Sequence, residues 1–282
     1  MHDPRILDQI IGFIAPRHSD HIVEIGPGRG ALTTRLLPLV SAMDVIEIDR
    51  DVIPELKNNC KNSENLHICM VDVLRVDFAK FSSPLRLVGN LPYNISTPLL
   101  FKAIESIDII KDMHFMLQKE VAERIVASSG SKIYGRLSVM LQYCCEVELL
   151  LHVGSGAFSP PPKVDSAFIR LIPRRHYSVV AQDRKLFGEI VRDAFSQRRK
   201  IITNGLKKYI VASQLEKAGV IHSNMKSITS AILLYKNDKN GWFVNKERSK
   251  VIKEFNDLFC NTSDNWDNEL IDCLDLHNTS IN

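Results

Sequence analysis

Apolar and polar residues along the first 173 positions follow a pattern that predicts strands separated by helices. Short apolar runs that end in glycine, an acid or an amide indicate strands, and apolar residues three or four positions apart indicate helices. The predicted strands are HIVEIG, MDVIEID, LHICMVD, LRLVGN and DMHFMLQ. The predicted helices include ALTTRLLPLV, DVIPELKNNC, KEVAERIVAS and TPLLFKAIES, the last with Thr97 as its N-cap and Pro98 as its first residue. This order predicts a parallel sheet with helices on both faces.

Two further strands and a second domain are predicted from the next part of the chain. The segment GRLSVMLQYCCEVELLLHV indicates a helix that runs into a strand, and SAFIRLIP indicates another strand. These two strands can form an antiparallel edge of the sheet. After Pro173, apolar residues at helical spacing predict a smaller helical domain. We therefore expect an α/β domain over residues 1–173, a helical domain over 174–235 and a divergent, polar tail over 236–282.

The composition is ordinary for a globular protein and excludes several classes. Of the 282 residues, 45% are hydrophobic and 24% are charged. No apolar run is long enough to span a bilayer, and the first residues, MHDPRILDQI, do not resemble a secretory signal. The six cysteines form no C-x-x-C pair, so we predict no metal site. Scattered thiols indicate a reducing compartment, and we expect a cytoplasmic protein.

The charge is unevenly distributed along the chain, although the net charge is only +3. Between Arg170 and Ile210 there are eleven Lys or Arg residues and three Asp or Glu residues. From Lys253 to the end there is one Lys and there are seven acids. The basic block has the charge needed to contact phosphate, but a solvated helix face would carry the same charge.

Three glycines follow the first predicted strand, in the segment VEIGPGRG. Gly26, Gly28 and Gly30 allow the backbone to turn sharply and to approach a ligand closely. Their spacing differs from the G-x-G-x-x-G pattern that serves a pyrophosphate. Glu24, which precedes the loop, is also poorly suited to lie beside phosphate. The loop therefore indicates a ligand that carries no phosphate.

Two acids follow the next two predicted strands. Glu47 lies at the end of the second strand, where an acid commonly accepts hydrogen bonds from both ribose hydroxyls. Asp72 ends the third strand and could accept a hydrogen bond from the amino group of an adenine ring. Either acid could instead cap a helix or face solvent. Since both stand at the ligand-binding edge of an open α/β sheet, together they predict a nucleoside ligand, with S-adenosylmethionine as the candidate.

The segment Asn-Leu-Pro-Tyr after the fourth strand predicts a site for an amino group on a nucleobase. The Asn90 side-chain carbonyl and the backbone carbonyl of Leu91 or Pro92 could accept both N–H bonds and aim the nitrogen lone pair at a methyl sulfonium. Tyr93 would stack on a base that has left its helix. Phe158, before three prolines, could stack on the other side of the base or could anchor a stiff loop. The segment could also be a turn in which Asn90 caps a helix and Tyr93 is core.

Seven motifs in this order resemble the ribosomal RNA adenine dimethyltransferases, which modify two adjacent adenines in a hairpin loop near the 3′ end of small-subunit RNA. The motifs are VEIGPGRGALT, VIEIDRD, GNLPYNISTPLL, MHFMLQKEVAERI, YGRLSVMLQY, AFSPPPKVDSAFIRL and FSQRRKIITNGL. The resemblance implies a Rossmann-like class I methyltransferase sheet with a smaller C-terminal helical domain. It implies dimethylation of adenine N6 with S-adenosylmethionine as cofactor. It also implies that the partner is ribosomal RNA in an immature small subunit, bound by a monomer.

The resemblance also assigns roles to individual residues. It implies cofactor contacts at Gly26, Gly28, Glu47, Asp72 and Asn90. It implies catalytic contacts with the target base at Asn90, Pro92, Tyr93 and Phe158. It implies RNA binding by Arg198, Arg199 and Lys200, although such a run could equally connect the two domains.

The chain departs from the family's pattern in two places. The family has a basic arm that reads K-R-x-G-Q-x-F-L before the aspartate that matches Asp3, and this sequence begins at Met1. After about Val220 the helical pattern of the family is lost.

Two other functions remain open from the sequence. One is the related class that methylates a single large-subunit adenine and confers antibiotic resistance; PPPKVDS and QRRK favour the small-subunit class over it. The other is a non-catalytic RNA-binding assembly factor with the same fold. The missing arm favours that reading, whereas the intact NLPY segment and glycine loop oppose it.

Overall fold

A seven-stranded sheet forms the centre of the computed structural model, which describes residues 1–176, 181, 183–196, 206 and 208–209. The strands are β1 (His21–Ile25), β2 (Met43–Glu47), β3 (Leu66–Met70), β4 (Leu85–Asn90), β5 (Ile110–Gln118), β6 (Cys145–Val153) and β7 (Ser166–Pro173). Their order across the sheet is β3-β2-β1-β4-β5-β7-β6. Strands β1 to β5 run parallel, and β7 lies antiparallel between β5 and β6. The predicted α/β sheet and its antiparallel edge are therefore confirmed.

Helices connect the strands. They are α1 (Pro4–Ile14), α2 (Thr33–Leu36), α3 (Ile53–Asn59), α4 (Ser96–Glu105), α5 (Lys119–Ile125), α6 (Arg136–Cys144) and α7 (Arg184–Phe195). Strands β1 and β4 are almost completely buried, as expected for parallel strands covered on both faces. None of the helices in the described part of the chain has the length and apolarity needed to cross a membrane.

Helix α1 was not among the predicted elements, although the sequence carries its signals. Asp3 is the N-cap, and its side chain accepts a hydrogen bond from the Arg5 N–H at 2.9 Å. Pro4 occupies the first helical position, where a missing N–H costs nothing. Leu7, Ile10 and Ile14 are buried at helical spacing. The Asp-Pro start and this spacing together would have been sufficient to predict the helix.

The predicted start of α4 was wrong by a small margin. The helix begins at Ser96 rather than at Pro98, and Thr97 does not cap it. The reason is that the Pro92 carbonyl accepts the N–H groups of both Ile95 and Ser96, at 3.2 and 3.1 Å. Because of these backbone bonds, the helix follows the NLPY turn without a break and requires no side-chain cap.

The described residues form two compact units. The first consists of Met1–Val126 and Leu141–Arg174 and contains the whole sheet. The second includes Ala127–Met140 and the described residues from Arg175 onward. The domain boundaries expected from the sequence stay predictions, and the predicted tail lies outside the described residues.

A buried ion-pair network fixes the amino-terminal ends of the central strands. Arg86 of β4 is 5% exposed; its Nε lies 2.9 Å from Asp112 Oδ1 and its Nη1 lies 2.6 Å from Asp20 Oδ2. The second oxygen of Asp20 is 2.7 Å from Lys111 Nζ. Arg86 also donates to the carbonyl of Ile14 at the end of α1. The network therefore joins α1, the segment before β1, β4 and β5.

The same network shifts the ionisation of Asp20. Burial alone would raise the pKa of this carboxyl group. Hydrogen bonds from Lys111, from the Arg17 N–H and from Arg86 outweigh burial and lower the pKa from 3.8 to about 2. Asp20 therefore stays ionised at any pH near neutrality.

Candidate active site

The predicted site residues meet at the edge of the sheet where the parallel strands end. Gly26 directly follows β1, Glu47 is the last residue of β2, and Asn90 is the last residue of β4. Because β1 lies between β2 and β4, the glycine loop has the acid on one side and the NLPY segment on the other. Asp72 lies two residues beyond the end of β3, at the same edge. Open α/β sheets bind their ligands at this edge.

Gly26 brings the glycine loop into contact with the NLPY segment. Its φ of +68° is in the left-handed region, which glycine adopts without strain. Its N–H donates to the Ile46 carbonyl at 2.9 Å, which ties the loop to β2. A Cβ atom added at Gly26 would lie 3.9 Å from the backbone carbonyl oxygen of Asn90 and 3.9 Å from Pro92 Cδ. The two motifs are therefore direct neighbours.

The Glu47 carboxylate is held in a fixed position by backbone N–H groups. The residue is 8% exposed. Oε1 accepts hydrogen bonds from the N–H groups of Ile48 at 2.8 Å and Asp49 at 3.0 Å, and Oε2 accepts one from the Gly28 N–H at 3.1 Å. A carboxylate offers about four lone-pair positions, so one acceptor position is left for a ligand. A fixed acceptor of this kind fits a ribose hydroxyl.

Glu24 lies buried beneath the loop instead of beside a ligand phosphate. It is 2% exposed, and its Oε2 accepts a hydrogen bond from the Thr33 hydroxyl at 2.6 Å. Burial raises the pKa of Glu24 to about 7; the Thr33 hydrogen bond reduces this rise and the charge of Glu47 adds to it. The acid before the glycine loop is therefore partly protonated near neutral pH.

Asp72 caps a single helical turn. Its Oδ1 accepts a hydrogen bond from the Leu74 N–H at 2.9 Å, in the 3-10 turn Val73–Arg75. Its side chain is 36% exposed, and Oδ2 lies 3.9 Å from Arg75 Nε. One oxygen thus has a capping role, and the other lies within ion-pair distance of Arg75. A contact between Asp72 and an adenine amino group stays a prediction.

The NLPY segment is a turn whose hydrogen bonds determine which atoms are left for a ligand. Leu91 is buried, Pro92 is exposed, and Asn90 and Tyr93 are half-buried. The Pro92 carbonyl accepts two N–H groups of the following helix, and the Ser96 hydroxyl donates to the Tyr93 carbonyl at 3.1 Å. The Tyr93 hydroxyl lies 3.2 Å from the Ser166 hydroxyl, at the start of β7. The segment is therefore a turn whose backbone and Tyr93 side chain are held in place by hydrogen bonds.

Phe158 lies deeper than a stacking surface would require. It is 8% exposed and belongs to the core cluster that also contains Met116 and Phe168. The turn before it is bonded to the N-terminal segment, because the Ala157 carbonyl accepts the His2 N–H at 2.9 Å. This is the arrangement of a loop anchor, and the stacking role of Phe158 stays a prediction.

Two hydroxyl partners, Thr33 and Ser166, were missed by the sequence analysis. Both stand inside quoted motifs. Thr33 bonds Glu24 of the same motif, whereas Ser166 bonds Tyr93 of a different motif. The residue types alone indicate neither pairing. The predicted RNA-binding residues Arg198, Arg199 and Lys200 lie outside the described residues.

Comparisons with known proteins agree with this geometry. The family model "Ribosomal RNA adenine dimethylase" matches residues 1–235. A ribosomal RNA small subunit methyltransferase A of Acinetobacter baylyi is 48% identical over 223 residues, which cover 78% of this chain and 81% of the relative. A protein of the same name from Xanthomonas campestris pv. campestris is 51% identical over 220 residues, covering 77% of this chain and 84% of the relative.

Solved structures show the same fold. A dimethyladenosine transferase from Plasmodium falciparum superposes with a TM-score of 0.67 at 31% identity, over 99% of this chain and 97% of that one. The 23S rRNA methyltransferase ErmE gives a TM-score of 0.65 at 24% identity, over 83% of this chain and 97% of that one, and supports the fold alone. The predicted methyltransferase fold and the resemblance are confirmed. The chain belongs to the ribosomal RNA adenine dimethylase family.

Proposed function

We propose that the chain dimethylates the N6 amino groups of two adjacent adenines near the 3′ end of small-subunit ribosomal RNA, with S-adenosylmethionine as methyl donor. The observation that carries the proposal is the approach of Gly26 to the Asn90 backbone carbonyl and to the Pro92 ring, which places the glycine loop beside the segment that holds the proposed acceptors of the amino group. The name shared by the bacterial relatives supports the small subunit as the source of the substrate.

The residues at the sheet edge fit the cofactor. Glu47 keeps an acceptor position for a ribose hydroxyl, and the partly exposed Asp72 carboxylate accepts the adenine amino group. The positive φ values of Gly26 and Gly28 let the loop backbone approach closely without side chains. When bound, S-adenosylmethionine supplies an electrophilic methyl group on its sulfonium sulfur. The chain's own contribution is to hold the amino group of the RNA base in line with that methyl.

The hydrogen bonds of the turn favour one backbone acceptor over another. A carbonyl oxygen has two lone pairs, and those of Pro92 already accept the N–H groups of Ile95 and Ser96. The Leu91 carbonyl and the Asn90 side chain are therefore the acceptors for the two N–H bonds of the base. Accepting both bonds draws the nitrogen toward tetrahedral geometry and localises its lone pair. No strong base is needed, since the methylated nitrogen is acidic enough to release its proton.

Tyr93 forms the wall against which the adenine stacks. A target base must leave its stack to enter the site, and an aromatic ring compensates for part of that loss. Stacking of this kind is worth about 1–3 kcal/mol per base. Phe158 anchors the loop on the other side of the adenine from Tyr93, in agreement with its burial.

The RNA itself is bound over a wider surface. The basic residues Arg198, Arg199 and Lys200 are suited to contact phosphates. The substrate in this proposal is the immature small ribosomal subunit in the cytoplasm, and the enzyme acts as a monomer. Residues 1–173 form the catalytic domain and residues 174–235 the RNA-binding domain.

The proposal is tested with small subunits from a strain that lacks this gene. After incubation with the purified chain and S-adenosylmethionine, mass spectrometry should find two methyl groups on each of two adjacent adenines near the 3′ end. Methylation of a single large-subunit adenine instead would refute the proposed substrate. A chain that binds RNA but shows neither calorimetric binding of the cofactor nor methylation would be a non-catalytic assembly factor.

A further inference from the structure

Ser166 has a buried hydroxyl group whose position relates to the proposed site. It is the first residue of β7 and is 1% exposed. A hydroxyl removed from water needs a hydrogen-bond partner. The partner is the Tyr93 hydroxyl at 3.2 Å, and either oxygen can be the donor. Ser166 therefore reaches the side chain that the proposed mechanism uses as a wall for the adenine.

Strand pairing and hydrogen bonds fix the position of Ser166. Its backbone pairs with Gln118 of β5 on one side and with Val153 of β6 on the other. The neighbouring Asp165 accepts the Lys119 N–H at its carbonyl, at 3.0 Å. The side chain of Asp165 accepts the Ser155 N–H at 3.2 Å. Ser166 is thus held by two strands and by the turn that precedes Phe158.

Tyr93, by contrast, lies in the turn between β4 and α4 and is half-buried. The hydroxyl oxygen of a tyrosine lies on the axis about which its ring turns, so a hydrogen bond to this oxygen fixes the direction in which the side chain extends. A fixed partner such as Ser166 therefore determines where the Tyr93 ring lies. The location of the ring decides whether a base stacks in the correct position for Asn90.

We propose that Ser166 is a positioning residue, which holds the Tyr93 ring in the place where it stacks on the target adenine. This inference rests on the proposed function. Ser166 acts only through Tyr93 and touches neither the cofactor nor the RNA. It also gives a role to the PPPKVDS motif, which the cofactor and amino-group contacts do not involve.

The test compares Ser166→Ala with Tyr93→Phe, because the two substitutions remove the same hydrogen bond from opposite sides. Each should lower kcat by roughly three- to tenfold, the value of one hydrogen bond. The KM for small subunits should change less than twofold, since phosphate contacts dominate RNA affinity. The Kd for S-adenosylmethionine should also stay unchanged. The double variant should be no slower than either single variant.

A matched control is Ser63→Ala, which removes the hydroxyl that donates to the Cys60 carbonyl at 2.8 Å near the end of α3. It should leave kcat unchanged. Circular dichroism checks that each variant is folded, and Tyr93→Phe probes the same bond if Ser166→Ala unfolds.

Three results would overturn the inference: a Ser166→Ala enzyme with unchanged kcat, losses that multiply in the double variant, or a loss of cofactor affinity. An inactive wild type would refute the proposed function together with the inference. An active wild type with unaffected variants would refute the inference alone.

Discussion

Replacing Gly89 by alanine should separate the two central strands and damage the site. Gly89 precedes Asn90 in β4 and lies beside Ile25, the last residue of β1. A Cβ atom at Gly89 would lie 2.4 Å from the Ile25 carbonyl oxygen, well inside the 3.0 Å below which real contacts essentially do not occur. The obstacle is backbone, so no side chain can rotate away to relieve the clash.

The loss of folding stability follows from the size of this overlap. Overpacking of a well-packed interior typically costs about 1–3 kcal/mol, and a clash with backbone should reach the upper end of that range. A loss of about 3 kcal/mol is large against a total stability of about 5–15 kcal/mol. Because Asn90 is the next residue, relief of the clash would also move it away from Gly26. We therefore expect weaker cofactor binding and a lower rate of methylation.

Gly12 provides the matched control. It lies inside α1, and a Cβ atom added there would meet nothing within 4 Å. Alanine is the better helix former, so Gly12→Ala should stabilise the chain by about 0.5–1 kcal/mol. Urea unfolding followed by circular dichroism gives both free energies, and calorimetry gives the cofactor affinity. A Gly89→Ala chain as stable as wild type, with unchanged cofactor affinity, would show that the strands are not packed this closely.

Four further predictions concern single side chains. Tyr93→Ala should lower the rate of methylation by roughly 5- to 150-fold, the equivalent of about 1–3 kcal/mol of stacking, while cofactor affinity, measured by calorimetry, stays within about twofold; equal loss of both would show that Tyr93 is structural. Glu47→Gln should weaken cofactor binding about tenfold or more, since hydrogen bonds to charged groups are the strong ones; an unchanged Kd would exclude Glu47 from the ribose site. The pKa of Glu24 is raised to about 7, so its contribution to stability is present below pH 4.5 and lost as the pH rises through 7. Urea unfolding should therefore show Glu24→Gln gaining stability over wild type between pH 5 and pH 8, and a constant difference would contradict this. The pKa of Asp20 is lowered to about 2, so its contribution is present above pH 3.8 and lost as the pH falls through 2. Between pH 4 and pH 2, the free energy of unfolding should therefore fall less in Asp20→Asn than in wild type. An equal fall in both chains would refute the lowered pKa of Asp20.

The sequence predicted the positions of those candidate residues that stand at strand ends. Gly26, Glu47 and Asn90 were placed correctly at one edge, because the carboxyl ends of parallel strands meet there. The partner of Ser166 could not be predicted, since it depends on which strand lies beside β5. The sequence could not decide between a stacking and an anchoring role for Phe158, because its burial depends on packing against other elements.

The exact start of a helix and the ionisation of buried acids could not be predicted from the sequence either. Thr97 and Pro98 have the usual residue types of a helix start, but the Pro92 carbonyl begins the helix earlier through backbone bonds. The ionisation of Glu24 and Asp20 follows from burial and from neighbours distant in the sequence. Such effects become visible only once the strands are assembled.

The order of the last two strands affects the sequence of events during synthesis. Strand β7 is made after β6, yet it lies between β6 and β5. Strand β6 therefore has no neighbour in the sheet until residues 166–173 have left the ribosome. The glycine loop and the NLPY segment can meet in the nascent chain before that moment, but the partner of Tyr93 arrives only with β7. A newly made chain should therefore form the contact between the glycine loop and the NLPY segment first and the contact between Tyr93 and Ser166 last.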